Sequence, residues 1–243
     1  MDTGSGGQLR ATNSIPPTPF RRFLTAMRDG WRSAAANAVP GLVIVCLAGL
    51  LVAAYYLFTG VAASLQGLQN LRDRWGIWFS MGASAIGAGV IPGLYLMATG
   101  RARRGRRAAV DLLFTCLVWS ATALVIDRFY AFQACLWGPT AGLPVLIGKM
   151  LVDQAIFTPL VGVQIPALGF RFRDMDYNLS ALGRALREDW LIKVIAPMLA
   201  AAWLTWIPGT LVIYTLPLSL QIPMFVLIQC FFALEVAYAS SRM

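Results

Sequence analysis

Histidine is absent from all 243 residues of the chain. Imidazole general bases, Ser-His-Asp and Cys-His catalysis, most zinc sites and His-ligated haem go with it. Charge is also scarce: 13% of residues are charged and 58% hydrophobic, against roughly 25% and 45–50% in ordinary soluble domains. That composition excludes a water-soluble globule. The four cysteines, Cys46, Cys116, Cys135 and Cys230, lie far apart and form no C-x-x-C pair. Free buried thiols are expected, with no disulfide framework and no metal site. No cluster of cysteines or carboxylates marks a reaction centre, so neither a catalytic residue nor a cofactor is expected.

What the chain has instead is long apolar runs separated by basic clusters. Twenty basic and eleven acidic residues leave a net charge of +9. Their placement between apolar runs reads as membrane topology rather than nucleic-acid binding. A hydrocarbon core of about 30 Å needs roughly 20 helical residues. Val39 to Ala63, Trp75 to Thr99, Ala108 to Ile126 and Gly138 to about Ile165 meet that length. Leu191 to Ala239 is long enough for two crossings, but Pro197, Pro208, Pro217 and Pro223 interrupt it, so part of it is expected to tilt or lie at the interface. The expected fold is all-α: a polytopic transmembrane helix bundle of five or six spans.

The arginines orient it. Five fall in the N-terminal tail, five at Arg101, Arg103, Arg104, Arg106 and Arg107, and four at Arg171, Arg173, Arg184 and Arg187. Four spans place these fourteen on one side, and the other side keeps Arg72, Arg74, Arg128 and, with five spans, Arg242. The positive-inside rule then puts the N-terminus in the matrix, stroma or cytosol.

Residues 1–38 read as a polar, Pro- and Gly-rich tail followed by an amphipathic helix. Phe20, Phe23, Met27, Trp31 and Ala34 recur at helical spacing, with Arg21, Arg28 and Arg32 on other faces. Such a helix lies at headgroup level and offers its arginines to acidic lipid. The segment is Arg-rich like a mitochondrial presequence, but Asp2 and Asp29 favour an uncleaved juxtamembrane helix. Leu65, Leu68 and Leu71, and later Leu179, Leu182, Leu186 and Trp190, repeat the interfacial pattern.

Two spans carry the informative residues. The second is rich in small residues, including Gly82, Gly87, Gly89 and Gly93. Small residues let helix backbones approach closely, so this face is expected to pack inside the bundle; Pro92 should kink its end. In the fourth, Lys149, Asp153 and Gln154 fall near the middle of the apolar run, where each charge costs about 2.5 kcal/mol or more. Lys149 and Asp153 are one helical turn apart, so an ion pair between them is expected. It would either clamp neighbouring helices or line a watery path.

The run Lys149-Met-Leu-Val-Asp153-Gln154-Ala-Ile-Phe157-Thr-Pro159 resembles the K-M-L-x-D-Q-x-x-F-x-P signature of the Mpv-type, or peroxisomal-membrane-protein-like, organellar membrane proteins. Ile126-Asp127-Arg128-Phe129 resembles the L-D-R-F that ends the family's second helix, and Arg103 to Arg107 the arginines before it. Pro197 and Pro208 keep the spacing of the family's two later prolines. The resemblance covers roughly 75–243, which makes residues 39–74 an additional N-terminal helix and loop. The chain departs from the family at Val90, where the pattern has an acid, and at Ala196, Trp203, Leu204 and Val212.

The resemblance implies a non-enzymatic protein of the mitochondrial inner membrane, with peroxisomal or plastid membranes as alternatives. The lost polar groups, the added helix and the long tail favour a structural accessory subunit of a respiratory complex or ATP synthase, with its other subunits as partners. A weakly selective channel for small solutes is the alternative.

Overall fold

The computed structural model describes residues 18–36, 38–103, 105–138 and 142–240, and among them there is helix and no strand. Helix α1 is Pro19–Ala36, α2 Ala38–Leu57 and α3 Thr59–Trp75. After these come α4, Ile77–Ala98; α5, Arg106–Trp137; α6, Leu143–Asp174; α7, Leu179–Arg187; α8, Leu191–Tyr214; and α9, Leu218–Ser240. Four of these, α4, α5, α6 and α8, are long and apolar enough to cross a membrane, and the bent pair α2 and α3 makes a fifth if counted as one span. The protein is an all-helical membrane bundle.

Three sequence boundaries move. The run Val39 to Ala63 is not one span: the chain bends by 107° between Leu57 and Thr59. The twenty residues of α2 already measure about 30 Å, a full hydrocarbon thickness. Helix α3, with Gln66, Gln69, Asn70 and Arg72, is too polar to go on through lipid. The third and fourth runs are both longer than their apolar cores, at 32 residues each. About 48 Å of helix exceeds the bilayer, so their ends stand clear of it.

The prolines of the tail break neither of its helices: Pro197 and Pro208 lie within α8 and Pro223 within α9, while Pro217 sits in the turn between them. Proline has no N–H to give and crowds the preceding turn, which a widened π-helical turn accommodates. All three π-helical stretches adjoin one: Ala85–Val90 before Pro92, Asp153–Gly162 around Pro159, and Leu191–Ile195 before Pro197. Pro92, where a kink is expected, thus follows directly on a π-helical stretch.

Two apolar clusters hold the bundle. Ala48 and Val52 of α2 pack with Ile126 and Tyr130 of α5, Ile213 and Tyr214 of α8 and Phe225 and Ile228 of α9. The added helix is therefore part of the common core. A second cluster joins Val163 and Ala167 to Trp190, Ile195, Leu199 and Ala202, with Met27 of α1 against it. Helix α1 does not lie free on a surface. It packs along the start of α8, with Arg22 paired to Asp189 and Gly30 pressed on Pro197, where a Cβ would come within 2.4 Å of the Pro197 Cα. Arg21, Arg28 and Arg32 remain exposed on its other side, as do Phe20 and Trp31. Residues 1–17, the polar tail, and Arg104 lie outside the described residues.

The basic loops do share one end. Arg103 and Arg107 both reach Asp176, at 2.8 and 2.7 Å, and Arg173 donates to Thr115. The opposite end is tied by the Tyr56 hydroxyl, which donates to the Thr215 carbonyl at 2.6 Å.

Candidate functional site

The small-residue face of α4 sets the distance between helices around the site. A Cβ on Gly89 would stand 2.7 Å from the Cys116 sulfur and 3.1 Å from its Cα; one on Gly93 would stand 2.4 Å from Leu112; one on Gly87 would touch Val226. Gly89 and Gly93 thus seat α4 on α5, and Gly87 seats it on α9. Gly82 differs from the other three, because nothing lies within 4 Å of its place. It belongs to an open face.

Behind this contact the helices enclose a cavity of about 560 Å³. At the basic end Arg103, Asp111 and Arg173 line it, and its far end is lined by Tyr130, Asp153, Gln154 and Thr210. Asp174 and Asp153, both in the lining of α6, are separated by about 30 Å at 1.5 Å per residue. The cavity therefore runs along most of a bilayer thickness. Its walls between the two ends are chiefly apolar, among them Trp119, Phe157, Trp206 and Phe225.

Asp153 is buried and receives three hydrogen bonds. Tyr214 donates to Oδ2 at 2.6 Å; Thr158 and Gln154 each donate to Oδ1 at 3.2 Å. Gln154 is also within 3.5 Å of Thr210, and its carbonyl accepts from the Trp203 indole at 2.9 Å. The expected Lys149 and Asp153 ion pair does not form. Lys149 turns the other way and donates from Nζ to the Gly138 carbonyl at 3.1 Å, while Gln133 donates to the Lys149 carbonyl at 2.9 Å. Lys149 lies in the second turn of α6, so its long side chain reaches the open carbonyl that ends α5 more readily than a site deeper in the bundle. The cluster is not central either. Its partner Tyr214 is the last residue of α8, and Asp153 is eleven residues into α6.

Sequence reasoning finds Asp153 and Gln154 but misses their partners. Thr158, Thr210 and Tyr214 are common residue types that give no signal until helices are brought together. It also places Asp127 at a helix end, where the structure puts it inside α5. There Asp127 is buried, and its Oδ1 accepts from Arg72 at 2.6 Å and from Ser80 at 2.9 Å. Arg72, read as a loop residue, closes the last turn of α3 onto the bundle. Its signal is legible: an arginine and an aspartate flanking the same face of the membrane.

A third polar element lies beside the cavity. Ser84 of α4 donates to Oε1 of Gln229 on α9 at 2.6 Å, and both side chains are fully buried. The Nε2 of Gln229 and the Oε1 of Gln154 have no hydrogen-bond partner. Both glutamines line the cavity. Among the described residues no group of His, Cys, Asp or Glu is placed to hold a metal ion.

At the basic end, Tyr177 donates to Asp111 at 2.7 Å, and burial together with that bond pushes its phenol up to about 12. No protein family, curated protein or solved structure matches the chain.

Proposed function

We propose that this membrane protein is a non-enzymatic, weakly selective pathway for small solutes, held here in its closed form. The observation that carries the reading is the cavity, which runs from the arginine-rich end to Asp153 and leaves one polar layer before the opposite face. Tyr214, Asp153 and Thr158 bond across that layer, and Lys149 and Gln133 close the turn beyond it. A path of this kind needs polar groups at its constriction and walls that bind nothing tightly. The Mpv-type signature from Lys149 to Pro159 supports the same reading, because part of that family is described as channels. By the positive-inside rule the arginine-rich end of the cavity faces the matrix, stroma or cytosol. The mitochondrial inner membrane is the location the family resemblance favours, and anionic lipid is the partner that the exposed Arg21, Arg28, Arg32 and Arg106 suit.

A second reading, a structural accessory subunit of a respiratory complex or ATP synthase, rests on a different observation. Of the three hydrogen bonds to Asp153, that from Tyr214 ties α6 to α8, while those from Thr158 and Gln154 hold the carboxylate within α6, as a scaffold would require. Reconstitution separates the two. Liposomes holding the purified protein should release trapped glycerol faster than empty liposomes, and Lys149→Ala should speed the release. No release, together with co-migration with a large complex on mild native purification, would establish the scaffold instead.

A further inference from the structure

The cavity differs from end to end in a way that selects a ligand. Of the residues that line it, only Arg103 and Asp174 are exposed, and both stand at the basic end. At the other end Tyr130, Asp153, Gln154, Thr158 and Thr210 are all buried. The space is therefore a blind pocket with one charged rim. Between rim and floor it runs past Leu112, Val163, Pro166 and Phe170, whose side chains give a polar solute nothing to bond to. Water gains few partners among such walls, and an empty space of about 560 Å³ would leave them without dispersion contact. The volume falls within the range of about 300–1,000 Å³ that takes one drug-sized molecule, which suits one apolar chain rather than two. The rim fixes the sign of the head. Residues 99–111 and 170–177, which meet there, carry seven arginines against three aspartates. Nη1 of Arg103 and Nη1 of Arg107 both donate to Oδ1 of Asp176, at 2.8 and 2.7 Å. Two guanidinium groups of five N–H donors each thus converge on one carboxylate oxygen and keep donors to spare. Arg103 also lines the cavity, with its Nε 3.6 Å from Asp111. An anion placed there takes charge-assisted hydrogen bonds, whereas a neutral hydrocarbon leaves the donors unused.

We infer that the cavity binds a single-chain anionic amphiphile, with its head at Arg103 and Arg107 and its apolar chain running inward past Trp119 and Phe170 toward Phe157. Fatty carboxylates and alkyl phosphates share this chemistry. The inference goes beyond solute passage, because the chain occupies the pocket whether or not anything crosses the layer at Asp153.

The test uses the full chain in phosphatidylcholine nanodiscs with a hexadecanoate probe carrying a photoreactive diazirine in its chain, in mildly alkaline buffer that keeps the carboxyl ionised. Mass spectrometry of the peptides should place the label on Leu112, Trp119, Phe157 or Phe170. Competitors with the same chain differ only in the head: hexadecyl phosphate should displace the probe about tenfold more effectively than hexadecanol or the zwitterionic hexadecylphosphocholine. Ranking unlabelled hexadecanoate against the phosphate tells which anionic head the site prefers. Arg103→Gln should reduce cavity labelling about tenfold, and Ala108→Trp, which fills the cavity behind the rim, should abolish it. Arg106→Gln, exposed but outside the lining, should keep it. Label confined to the exposed Leu151, Ile156 and Leu160, equal displacement by the alcohol or the phosphocholine, or equal loss in Arg103→Gln and Arg106→Gln would overturn the inference. Should the variants fail to fold, the comparison of phosphate with alcohol on the unaltered chain still decides it.

Discussion

Among the described residues two aspartates are buried in this membrane bundle, and they are satisfied in opposite ways. Asp127 takes a cation: Arg72 reaches it from α3 and Ser80 adds a second bond, and the pair fixes a bent, amphipathic helix onto α4 and α5. Asp153 takes none. Two hydroxyls and an amide meet it at the end of a cavity, while the nearest lysine in sequence is spent on a backbone carbonyl. The first arrangement is charge-neutral, with only the Arg72 Nε left without a partner, so it acts as a clamp. The second is held by weaker neutral donors, and its surroundings keep unpaired amides and open space. Lone charge in lipid is costly enough that a chain keeps it only where it is either neutralised or used.

The largest expected effect comes from breaking the clamp. Asp127→Ala strands a largely buried arginine and should lower stability by about 3 kcal/mol. Combining Arg72→Met with Asp127→Leu should restore most of it, because no charge is then left behind. Thermal unfolding in detergent reads both; equal losses in single and double variants would mean the pair is not a clamp. Next comes the helix spacing that both aspartate sites depend on. Gly89→Leu forces α4 from α5 and should cost about 2–3 kcal/mol, whereas Gly82→Leu, on the open face, should stay within about 0.5 kcal/mol.

Asp153→Asn should cost less than Asp127→Asn, about 1 kcal/mol, since an amide oxygen still accepts from Tyr214 and no cation is stranded. A larger loss at Asp153 would invert the comparison. The smallest effect is at the basic mouth. Tyr177→Phe should cost about 0.5–1 kcal/mol through its bond to Asp111. The Tyr177 phenol is raised to about 12, above the usual value of about 10. Its contribution is therefore complete below about 10 and is lost as the pH rises through 12. The difference in phenolate absorbance between the unaltered chain and Tyr177→Phe should show one tyrosine titrating late.

The spans are legible in the sequence because hydrocarbon thickness is a length that apolar runs must match, and the shared end of the arginine loops follows from counting them. Gly89 and Gly93 are legible as a close contact, since only small residues permit it. Gly82 is not distinguishable from them, because composition does not say which face of a helix meets a neighbour. The Lys149 and Asp153 pair fails for a related reason. One helical turn permits the contact, but an unsatisfied carbonyl at Gly138 and the hydroxyl of Tyr214, sixty-one residues on, compete for the two groups, and neither is visible along the helix itself. Likewise, the length of Val39 to Ala63 hides the turn at Phe58, where α2 has already reached the hydrocarbon thickness while the sequence is still apolar.

The claim that the cavity leads from the arginine-rich face to the Asp153 layer is tested most directly by thiol accessibility. In a cysteine-free chain within sealed membrane vesicles, Thr115→Cys and Thr158→Cys would be exposed to a small impermeant thiol reagent from each side in turn, with the lipid-facing Leu160→Cys as the control. Both cavity positions should react from the arginine-rich side only, Thr115→Cys faster than Thr158→Cys, and both faster than Leu160→Cys. Reaction of Thr158→Cys from the opposite side, or at a rate no greater than that of Leu160→Cys, would contradict the claim.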